Sequence, residues 1–290
     1  MRCRASRWFE HGSIETRTDR IRYLWGELKG EGQMSTLRFA FCRAIVVATL
    51  VGCSATQPDT ITQVSTIDAL LAGAYKGQMT CGELLSHGDL GLGTFDGLDG
   101  EMVVLGGRMY QVKFDGRVNV PAMTLGVPFA CVVGFRAEKV VPIQGPTDCR
   151  GFEKAVNEAV PNPNTLLAIR SHGRFRSIRT RVIPPQTTSR PLAESAGAQA
   201  VFNLQQVEGT LVGFRMPPFV KGINMPGYHL HFVSDDRASG GHVLDFTLDS
   251  GVVEVDICNR LLMILPKGRS ALQHVDLNRD RSSELNRIEK

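Results

Sequence analysis

The stretch YHLHFVSDDRASGGHV, residues 228–243, constrains the fold more than any other part of the chain. It holds three of the seven histidines, His229, His231 and His242. Because side chains two residues apart in a β-strand share a face, His229 and His231 are predicted to lie about 7 Å apart on one face of a strand. The polar SDDRASGG segment predicts a turn that returns the chain as a hairpin and sets His242 opposite the pair. Three apolar residues alternate with the first two histidines and are expected on the opposite, packed face: Tyr228, Leu230 and Phe232.

Three neutral imidazoles on one face form the ligand set of a catalytic zinc site, which keeps a further position open for substrate. The predicted cofactor is therefore Zn²⁺ or another borderline divalent ion, rather than copper(I) or a metal cluster. Histidines packed in a core are the alternative, but that role explains a single histidine better than three on paired strands. A cupin-type site also begins with an HxH strand. It needs a glutamate soon after the pair, where this chain has Asp235 and Asp236.

Thiolate ligands are not expected at this site. The cysteines that follow Cys53 show no CxxC spacing, which argues against a cysteine-type zinc site. An oxidising compartment would permit one disulfide, and the sequence does not select the pair. Buried free thiols are the simpler expectation for these four residues: Cys81, Cys131, Cys149 and Cys258.

Two further segments carry candidate active-site residues. In GTFDGLDGEMVVLGG, glycines and aspartates predict a tight loop before a strand that begins at Glu101. A carboxylate at such a junction can act as an acid or base or support a metal ligand, although a solvated strand end is the commoner role. In RFRSIRTRVIPPQ, the spacing predicts Arg179 and Arg181 on one strand face. That face is either solvated or directed at a substrate carboxylate.

The remaining pattern predicts an α+β fold with mixed and antiparallel sheets and a few helices. Apolar residues at helical spacing follow Ser65 and Thr66, either of which can cap a helix. Short β-type runs separated by glycine and aspartate begin at Gly91. The segment GFEKAVNEAV is amphipathic and predicts another helix. Two strands are expected around His172-Gly173.

Two lobes are predicted in the folded part of the chain. Residues 66–185 would form an N-terminal α/β lobe, and residues 186–290 a C-terminal, β-rich, zinc-binding lobe with a terminal helix. The boundary is placed in PPQTTSRPLAESAGAQAV because its prolines and polar residues are typical of a linker.

The N-terminal region predicts a leader. Residues 34–53 combine basic residues, a nine-residue apolar run and the box Leu-Val-Gly-Cys, which together resemble a bacterial lipoprotein signal. The apolar run is too short to span a membrane. Lipid on Cys53 would then anchor the protein through a polar tether, residues 54–65. Residues 1–33 are expected to lie upstream of the true start at Met34, and the protein is expected to be exported to the cell envelope or periplasm.

The charge distribution gives no reason to expect a nucleic-acid partner. The net charge is +4, but the excess lies before Cys53, and from there onward the chain has 24 basic and 24 acidic residues. Nucleic-acid binding requires a basic surface. A small-molecule partner is expected instead.

Several long segments, in order, resemble the α-acetolactate decarboxylase family. They are HGDLGLGTFDGLDGEMVVLGGRMYQV, TRVIPPQ and QQVEGTLVGFRMPPFVKGINMPGYHLHFVSDDRASGGHVLDF. The resemblance covers roughly residues 65–289 and is specific, because long motifs recur in register.

The resemblance implies roles for individual residues. It implies a zinc site with three histidine ligands: His229, His231 and His242. It implies an active-site glutamate, an active-site arginine and a nearby polar contact: Glu101, Arg181 and Thr94, respectively. It also implies a glutamate from the C-terminal tail, which here is Glu289 or, as the alternative, Glu284.

The resemblance further implies the reaction and the assembly. Zinc-dependent decarboxylation of (S)-2-acetolactate to (R)-acetoin and carbon dioxide is the expected activity, carried out by a homodimer. Decarboxylation of another hydroxy-keto acid is one alternative. A non-catalytic, envelope-bound zinc-binding lipoprotein is the other, and it would have no use for Glu101 and Arg181.

The predicted lipid anchor can be tested by cell fractionation. If Cys53 carries lipid, the unaltered protein should sediment with membranes, and Cys53→Ala should move most of it to the soluble fraction, because the acyl chains supply the membrane affinity. Cys149→Ala, which removes a different cysteine, should leave the distribution unchanged. Equal membrane association of the Cys53 variant and the unaltered protein would exclude the anchor.

Overall fold

The computed structural model describes residues 59–77, 79–266, 272–273 and 275–289. The predicted extension, the leader, Cys53 and the tether as far as Pro58 lie outside the described residues. Within the described part, no helix combines the length and apolar character needed to cross a membrane.

The described residues form fourteen strands and five α-helices, an α+β fold with mixed and antiparallel sheets, as predicted. The strands are β1 (Thr60–Val64), β2 (Met79–Thr80), β3 (Leu90–Thr94), β4 (Glu101–Leu105), β5 (Arg108–Val112), β6 (Val118–Asn119), β7 (Gly126–Val127), β8 (Phe129–Val133), β9 (Lys139–Asp148), β10 (Leu166–Val182), β11 (Ala200–Met216), β12 (Gly227–Ser234), β13 (Gly240–Cys258) and β14 (Arg260–Ile264). The helices are α1 (Ile67–Leu71), α2 (Cys81–Leu85), α3 (Cys149–Ala159), α4 (Leu192–Ala196) and α5 (Ser282–Glu289).

The first sheet has seven short strands in the order β14-β1-β8-β3-β4-β5-β6. Adjacent strands within this sheet are antiparallel, except that β1 and β14 are parallel. The tether prediction is wrong for Thr60–Val64, because these residues form β1 and are buried along their whole length. β1 lies inside the sheet between β14 and β8, and its two faces are covered by two different apolar clusters, one containing Ile61 and the other Val64.

The second sheet has five longer strands in the order β10-β11-β12-β13-β9. β10 pairs with β13 as well as with β11, so β10 to β13 close into a ring of hydrogen-bonded strands. Edge-to-face contacts join the aromatic side chains of the enclosed core, with Phe175 set against both Phe232 and Phe246. The opposite face of this sheet packs on the first sheet, where Val212, Phe214 and Val233 join the apolar core of β1, β3 and β8.

The predicted boundary at residue 186 does not separate the two sheets. β9, α3 and β10 precede it, yet they pack in the second sheet. β14 follows it, yet it pairs with β1 in the first sheet. Residues 184–201, which are predicted to be a linker, form a connection within the structure and contain α4.

The structure shows which residue caps α1, and it differs from the sequence patterns in β10 and in the C-terminal helix. Thr66 caps α1, and its hydroxyl accepts a hydrogen bond from the Ala69 N–H at 3.1 Å. β10 runs unbroken through His172-Gly173, where two strands were expected. Gly173 is needed there for close approach, since a β-carbon would collide with the Ser250 carbonyl oxygen. The last twenty residues are predicted to be helical, and among those that the structure describes, Ser282–Glu289 form α5.

The cysteines in the described residues are all free thiols. Three are buried and Cys149 is half-buried. The burial of the others leaves them in the apolar interior rather than at a metal site.

A glycine on β11 sets the distance to the strand that carries two of the histidines. Gly213 pairs with Leu230, and a β-carbon at Gly213 would collide with the carbonyl oxygen of His229. Gly213→Ala should therefore lower the free energy of unfolding by about 1–3 kcal/mol, because the backbone of β12 must move. Urea denaturation measures this difference.

Gly197→Ala is the matched control. Gly197 has a helical φ of −62°, and the nearest atom to its added β-carbon is 3.8 Å away. Its free energy of unfolding should stay within about 0.5 kcal/mol of the unaltered protein. Equal stability of the two alanine variants would contradict the proposed backbone contact.

Candidate active site

Three imidazoles converge where β12 meets β13. His231 pairs directly with His242 across the two strands, and His229 lies two residues before His231 on the same face. The ring centroids are 5.0–5.3 Å apart. All three residues are buried, with exposed fractions of 8%, 2% and 3% in chain order. The hairpin prediction is confirmed, and the alternating Leu230 and Phe232 pack in the core on the other face.

The ring nitrogens point to a shared centre. His231 Nδ1 lies 2.8 Å from the Met102 carbonyl oxygen, which can only accept, so Nδ1 carries the proton and Nε2 presents a lone pair. His229 Nε2 and His242 Nδ1 are 3.2 Å apart. One ligand nitrogen from each histidine lies within 4.8 Å of the others.

Burial keeps the three imidazoles neutral. It lowers the pKa of His229 to about 3, with the Arg181 cation adding to the effect. Burial, Arg181 and the neighbouring histidines hold the pKa of His242 well below its usual range, and burial does the same for His231. Neutral imidazoles have the free lone pairs that metal coordination requires.

Glu101 and Arg181 come from the two different sheets and meet beside the histidines. Glu101 is the first residue of β4, and its Oε2 lies 3.6 Å from His231 Nε2. Arg181 lies near the end of β10, is 2% exposed, and directs Nη1 to Glu101 Oε1 at 3.5 Å. Among the residues that the structure describes, its Nε has no hydrogen-bond partner. A buried guanidinium N–H without a partner is suited to an anionic ligand.

Glu289 completes the set from the last turn of α5. Its Oε1 lies 3.2 Å from Arg181 Nη2, and its Oε2 lies 3.2 Å from His242 Nε2. The alternative tail residue, Glu284, points elsewhere and pairs with Arg281 at 2.9 Å. Of the two glutamates considered, only Glu289 contacts this cluster.

Burial raises the pKa values of both carboxyl groups. The pKa of Glu101 rises to about 7, because burial outweighs the opposing effect of Arg181, and the charge of Glu289 raises it further. Burial also raises the pKa of Glu289, again against Arg181. Glu101 can therefore hold or release a proton near neutral pH.

Thr94 lies opposite Glu101 in the pairing of β3 with β4. Its hydroxyl donates a hydrogen bond to the Gly100 carbonyl oxygen at 2.9 Å, and the side chain lines the same cavity as Glu101. This contact fixes the loop immediately before Glu101.

The prediction that Arg179 and Arg181 share a face of β10 is confirmed. The pairing of β10 with β11 is unbroken from Ser177 to Val182, and Ile178 packs in the enclosed core, so Arg179 and Arg181 both face away from that core. Arg179 is nevertheless exposed, whereas Arg181 is buried. Only Arg181 lines the cavity with Glu101 and Glu289.

One cavity contains all seven site residues and has an apolar wall. The sequence does not predict this wall, because leucine, isoleucine and phenylalanine in an apolar pattern are typical of any protein core. Part of it comes from α1 and α4, and α4 lies in the segment taken for a linker. The apolar lining consists of Ile67, Leu70, Leu98, Phe129, Ile183 and Leu192.

The residues present fit a zinc ion. Two ligands of one tetrahedral zinc are expected to lie about 3.3 Å apart, given ligand distances near 2.0–2.1 Å, and His229 Nε2 and His242 Nδ1 are 3.2 Å apart. His231 is oriented by a backbone carbonyl through its other nitrogen, which is the usual arrangement for a metal-ligating histidine. His229, His231 and His242 would hold the ion.

Fold and site together define a class of enzyme with three buried imidazoles, a buried arginine and two carboxyl groups around a small cavity. The chain belongs to the α-acetolactate decarboxylase family, whose model matches residues 61–279. It is 43% identical over 228 residues to the α-acetolactate decarboxylase of Methylococcus capsulatus, covering 78% of this chain and 87% of that protein.

Two further relatives support membership of the same family. The Methanosarcina mazei α-acetolactate decarboxylase is 40% identical over 235 residues, covering 80% of this chain and 81% of that protein. The crystal structure of the Bacillus subtilis strain 168 enzyme superposes with a TM-score of 0.77 at 32% identity, covering 79% of this chain and 98% of that one. The family predicted from the sequence is confirmed.

The raised pKa of Glu101 predicts a specific pH dependence of stability in zinc-free protein. Glu101 binds a proton more tightly in the folded chain than at its ordinary pKa of 4.5, so its contribution is complete below that pH and is lost as pH rises through about 7. Glu101→Gln removes this loss. The free energy of unfolding of the variant, relative to unaltered protein, should rise by on the order of 1 kcal/mol between about pH 6 and pH 8.

Glu254→Gln provides the control in the same urea titrations. Arg170 lowers the pKa of Glu254, so that group is ionised throughout the interval and its difference from unaltered protein should be flat. A flat difference for Glu101→Gln as well would show that Glu101 does not titrate between pH 6 and pH 8 and would contradict a pKa of about 7.

Proposed function

We propose that this chain decarboxylates 2-acetolactate to acetoin and carbon dioxide with a zinc ion held by His229, His231 and His242. Membership of the decarboxylase family assigns the reaction. The observation that carries the zinc assignment is the convergence of three buried, neutral imidazoles on one cavity that also holds Arg181 and two carboxyl groups.

The chemistry explains why such a site needs an electrophile. Acetolactate has a ketone next to the carbon that bears its hydroxyl and carboxylate, and loss of carbon dioxide leaves an electron pair that the ketone must accept. When bound, zinc would supply a Lewis acid for the ketone and hydroxyl oxygens. The proposed reaction therefore needs no organic cofactor as an electron sink, and the sequence has no nucleotide-binding motif.

Arg181 is proposed to bind the negative charge of the substrate. It is buried, its Nε lacks a partner, and its contacts to Glu101 and Glu289 are long for charge-assisted hydrogen bonds, at 3.5 and 3.2 Å. The guanidinium can therefore take a substrate oxygen without breaking a short ion pair. It would hold the carboxylate before the bond breaks and the developing oxyanion afterwards.

Glu101 and Glu289 are the two candidate proton donors. A proton must reach the former carboxylate-bearing carbon to give acetoin, and both glutamates face the cavity with raised pKa values. In the zinc-free site the pKa of Glu101 is raised to about 7, so this buried carboxyl group can hold a proton near neutral pH and is a candidate general acid. Glu289 is held between Arg181 and His242 and is the alternative donor.

The apolar wall is proposed to receive the two methyl groups of the substrate. Leu70 and Leu192 line the cavity beside Ile183, while the polar groups line the rest of it. This division would orient the methyl groups away from the charged residues and shield the reaction from water.

Export, lipid anchoring at Cys53 and a homodimeric assembly remain part of the proposal. The leader pattern of residues 34–53 supports export, and the family resemblance supports the dimer. The proposed reaction consumes no nucleotide, so it is compatible with the cell envelope.

Metal removal provides the primary test of the function. Acetoin release from racemic acetolactate should fall to background after chelation and return with added zinc, because the imidazoles alone supply no electrophile. His242→Ala should lose both bound zinc and at least about a hundredfold of the rate. Bound zinc is measured by atomic emission.

His172→Ala is the matched control for the histidine variant. His172 is exposed and pairs with Asp235 at 2.9 Å, so its loss should change neither zinc content nor rate. Stoichiometric zinc without acetoin formation in unaltered protein would instead support a non-catalytic zinc-binding protein.

Conservative substitutions distinguish the roles of the two carboxyl groups, Glu101 and Glu289. Glu101→Gln and Glu289→Gln should both keep bound zinc, and the variant that removes the proton donor should lose roughly 10²–10⁴-fold in kcat. Glu284→Gln, which alters the neighbouring tail glutamate, should stay within a few-fold of unaltered protein. Normal turnover by both the Glu101 and Glu289 variants would remove both residues from the chemistry.

A further inference from the structure

A second group of acidic side chains lies at the far end of β13. Carboxylate oxygens from Asp59, Glu138 and Asp256 lie within 4.8 Å of one another. None of these residues belongs to the active site. His242 and Asp256 are separated by fourteen residues of β13, roughly 45 Å along an extended strand.

The fold brings these residues together where the chain passes between the two sheets. Asp59 precedes β1, and its carbonyl oxygen accepts hydrogen bonds from the N–H groups of Asn259 and Arg260, both at 3.1 Å. Glu138 ends the connection from β8 to β9. Its N–H donates to the Val255 carbonyl oxygen at 2.9 Å, and its Oε1 accepts from the Ile257 N–H at 3.2 Å.

Asp256 is the buried member of the group and has an unused oxygen. The residue is 1% exposed. Its Oδ2 accepts a hydrogen bond from the Arg136 N–H at 2.9 Å, whereas its buried Oδ1 has no partner in the described part of the chain. A buried carboxylate oxygen without a partner is costly unless a ligand completes it.

The group also lacks a neutralising side chain. Among the described residues, no lysine, arginine or histidine nitrogen lies within 4.0 Å of the carboxylates of Asp59, Glu138 or Asp256. Two residues before Asp256 on the same strand, Glu254 is paired with Arg170 at 2.7 Å. The three carboxylates therefore lie close together without an ion-pair partner among the described residues. The nearby carboxylate of Glu254, by contrast, has such a partner.

We propose that Asp59, Glu138 and Asp256 form a second cation site, which binds calcium. Carboxylate oxygens favour a hard cation over zinc or copper, and calcium accepts irregular sets of oxygen ligands completed by water. Glu138 is exposed and Asp59 half-buried, so water reaches one side of the site. The ion offsets two of the three negative charges and joins the residue before β1, the β8–β9 connection and the end of β13, so it stabilises the contact between the sheets.

Titration of the zinc-loaded protein with calcium tests this site. Protein desalted into calcium-free buffer, with its zinc content verified, should bind one calcium ion per chain in isothermal titration calorimetry, with a Kd below about 1 mM. At about a hundredfold excess over Kd, calcium should raise Tm by roughly 5–10 °C. Acetoin formation should not change.

Two variants distinguish the proposed ligands. Asp256→Asn and Glu138→Gln should each weaken calcium binding at least about tenfold and reduce the Tm shift. Glu138→Gln also keeps an oxygen for the Ile257 N–H, so it tests the site should the buried Asp256 variant fail to fold. Glu254→Gln, a carboxylate lost from the same strand, should bind calcium like the unaltered protein.

The proposal has clear contrary outcomes. It is overturned if calcium produces neither binding heat nor a Tm shift in unaltered protein. It is equally overturned if Glu138→Gln and every folded Asp256 variant bind calcium with undiminished affinity. Either result leaves the decarboxylase assignment intact, because the three acids contribute nothing to the catalytic cavity.

Discussion

The pairing of His231 with His242 across β12 and β13 is the constraint on which the active site depends. A slip of one residue in this pairing would turn His242 to the opposite face and away from the other two imidazoles. The register is held from both sides, since the apolar residues between the histidines pack in the enclosed core and Gly213 allows β11 to approach closely. The geometry of the three nitrogens is thus a consequence of sheet packing. A metal ion would bind to a site that is already formed.

The charges around the site explain why a divalent cation belongs there. Without one, Arg181 faces two buried carboxyl groups, so full ionisation would leave a net negative site that repels an anionic substrate. With zinc, the same groups carry a net positive charge even when both carboxylates are ionised. The raised pKa of Glu101 is consistent with this balance, because burial and Glu289 together outweigh the single guanidinium. Under the proposed function, substrate binding, metal binding and proton storage would be coupled through Arg181.

Much of this site could be predicted from local sequence patterns. The period of two in β12 gave the face of His229 and His231, and the following turn placed His242. Glu101 was recognisable as a strand start after a glycine-rich loop. Glu289 was reached only through the family resemblance, because its place in the cavity depends on how α5 docks on residues far away in the chain. The choice between Glu284 and Glu289 needed the structure.

The errors have a common physical origin. The polar composition of residues 54–65 predicts a tether, yet Thr60–Val64 form β1 because they pair with β8 and β14, which lie far along the chain. The prolines and polar residues of 184–201 predict a linker, yet this segment contains α4, whose Leu192 packs in the apolar core. Long-range pairing and packing decide both cases, and no local window of sequence contains them.

Zinc-edge X-ray absorption of the zinc-loaded protein tests the central claim most directly. Three histidine ligands and an open position should give nitrogen and oxygen scatterers at about 2.0–2.1 Å, with outer-shell features of three imidazoles and at least one exchangeable oxygen that responds to a hydroxy-keto ligand. Sulfur at about 2.3 Å, or fewer than three imidazoles around the ion, would contradict it.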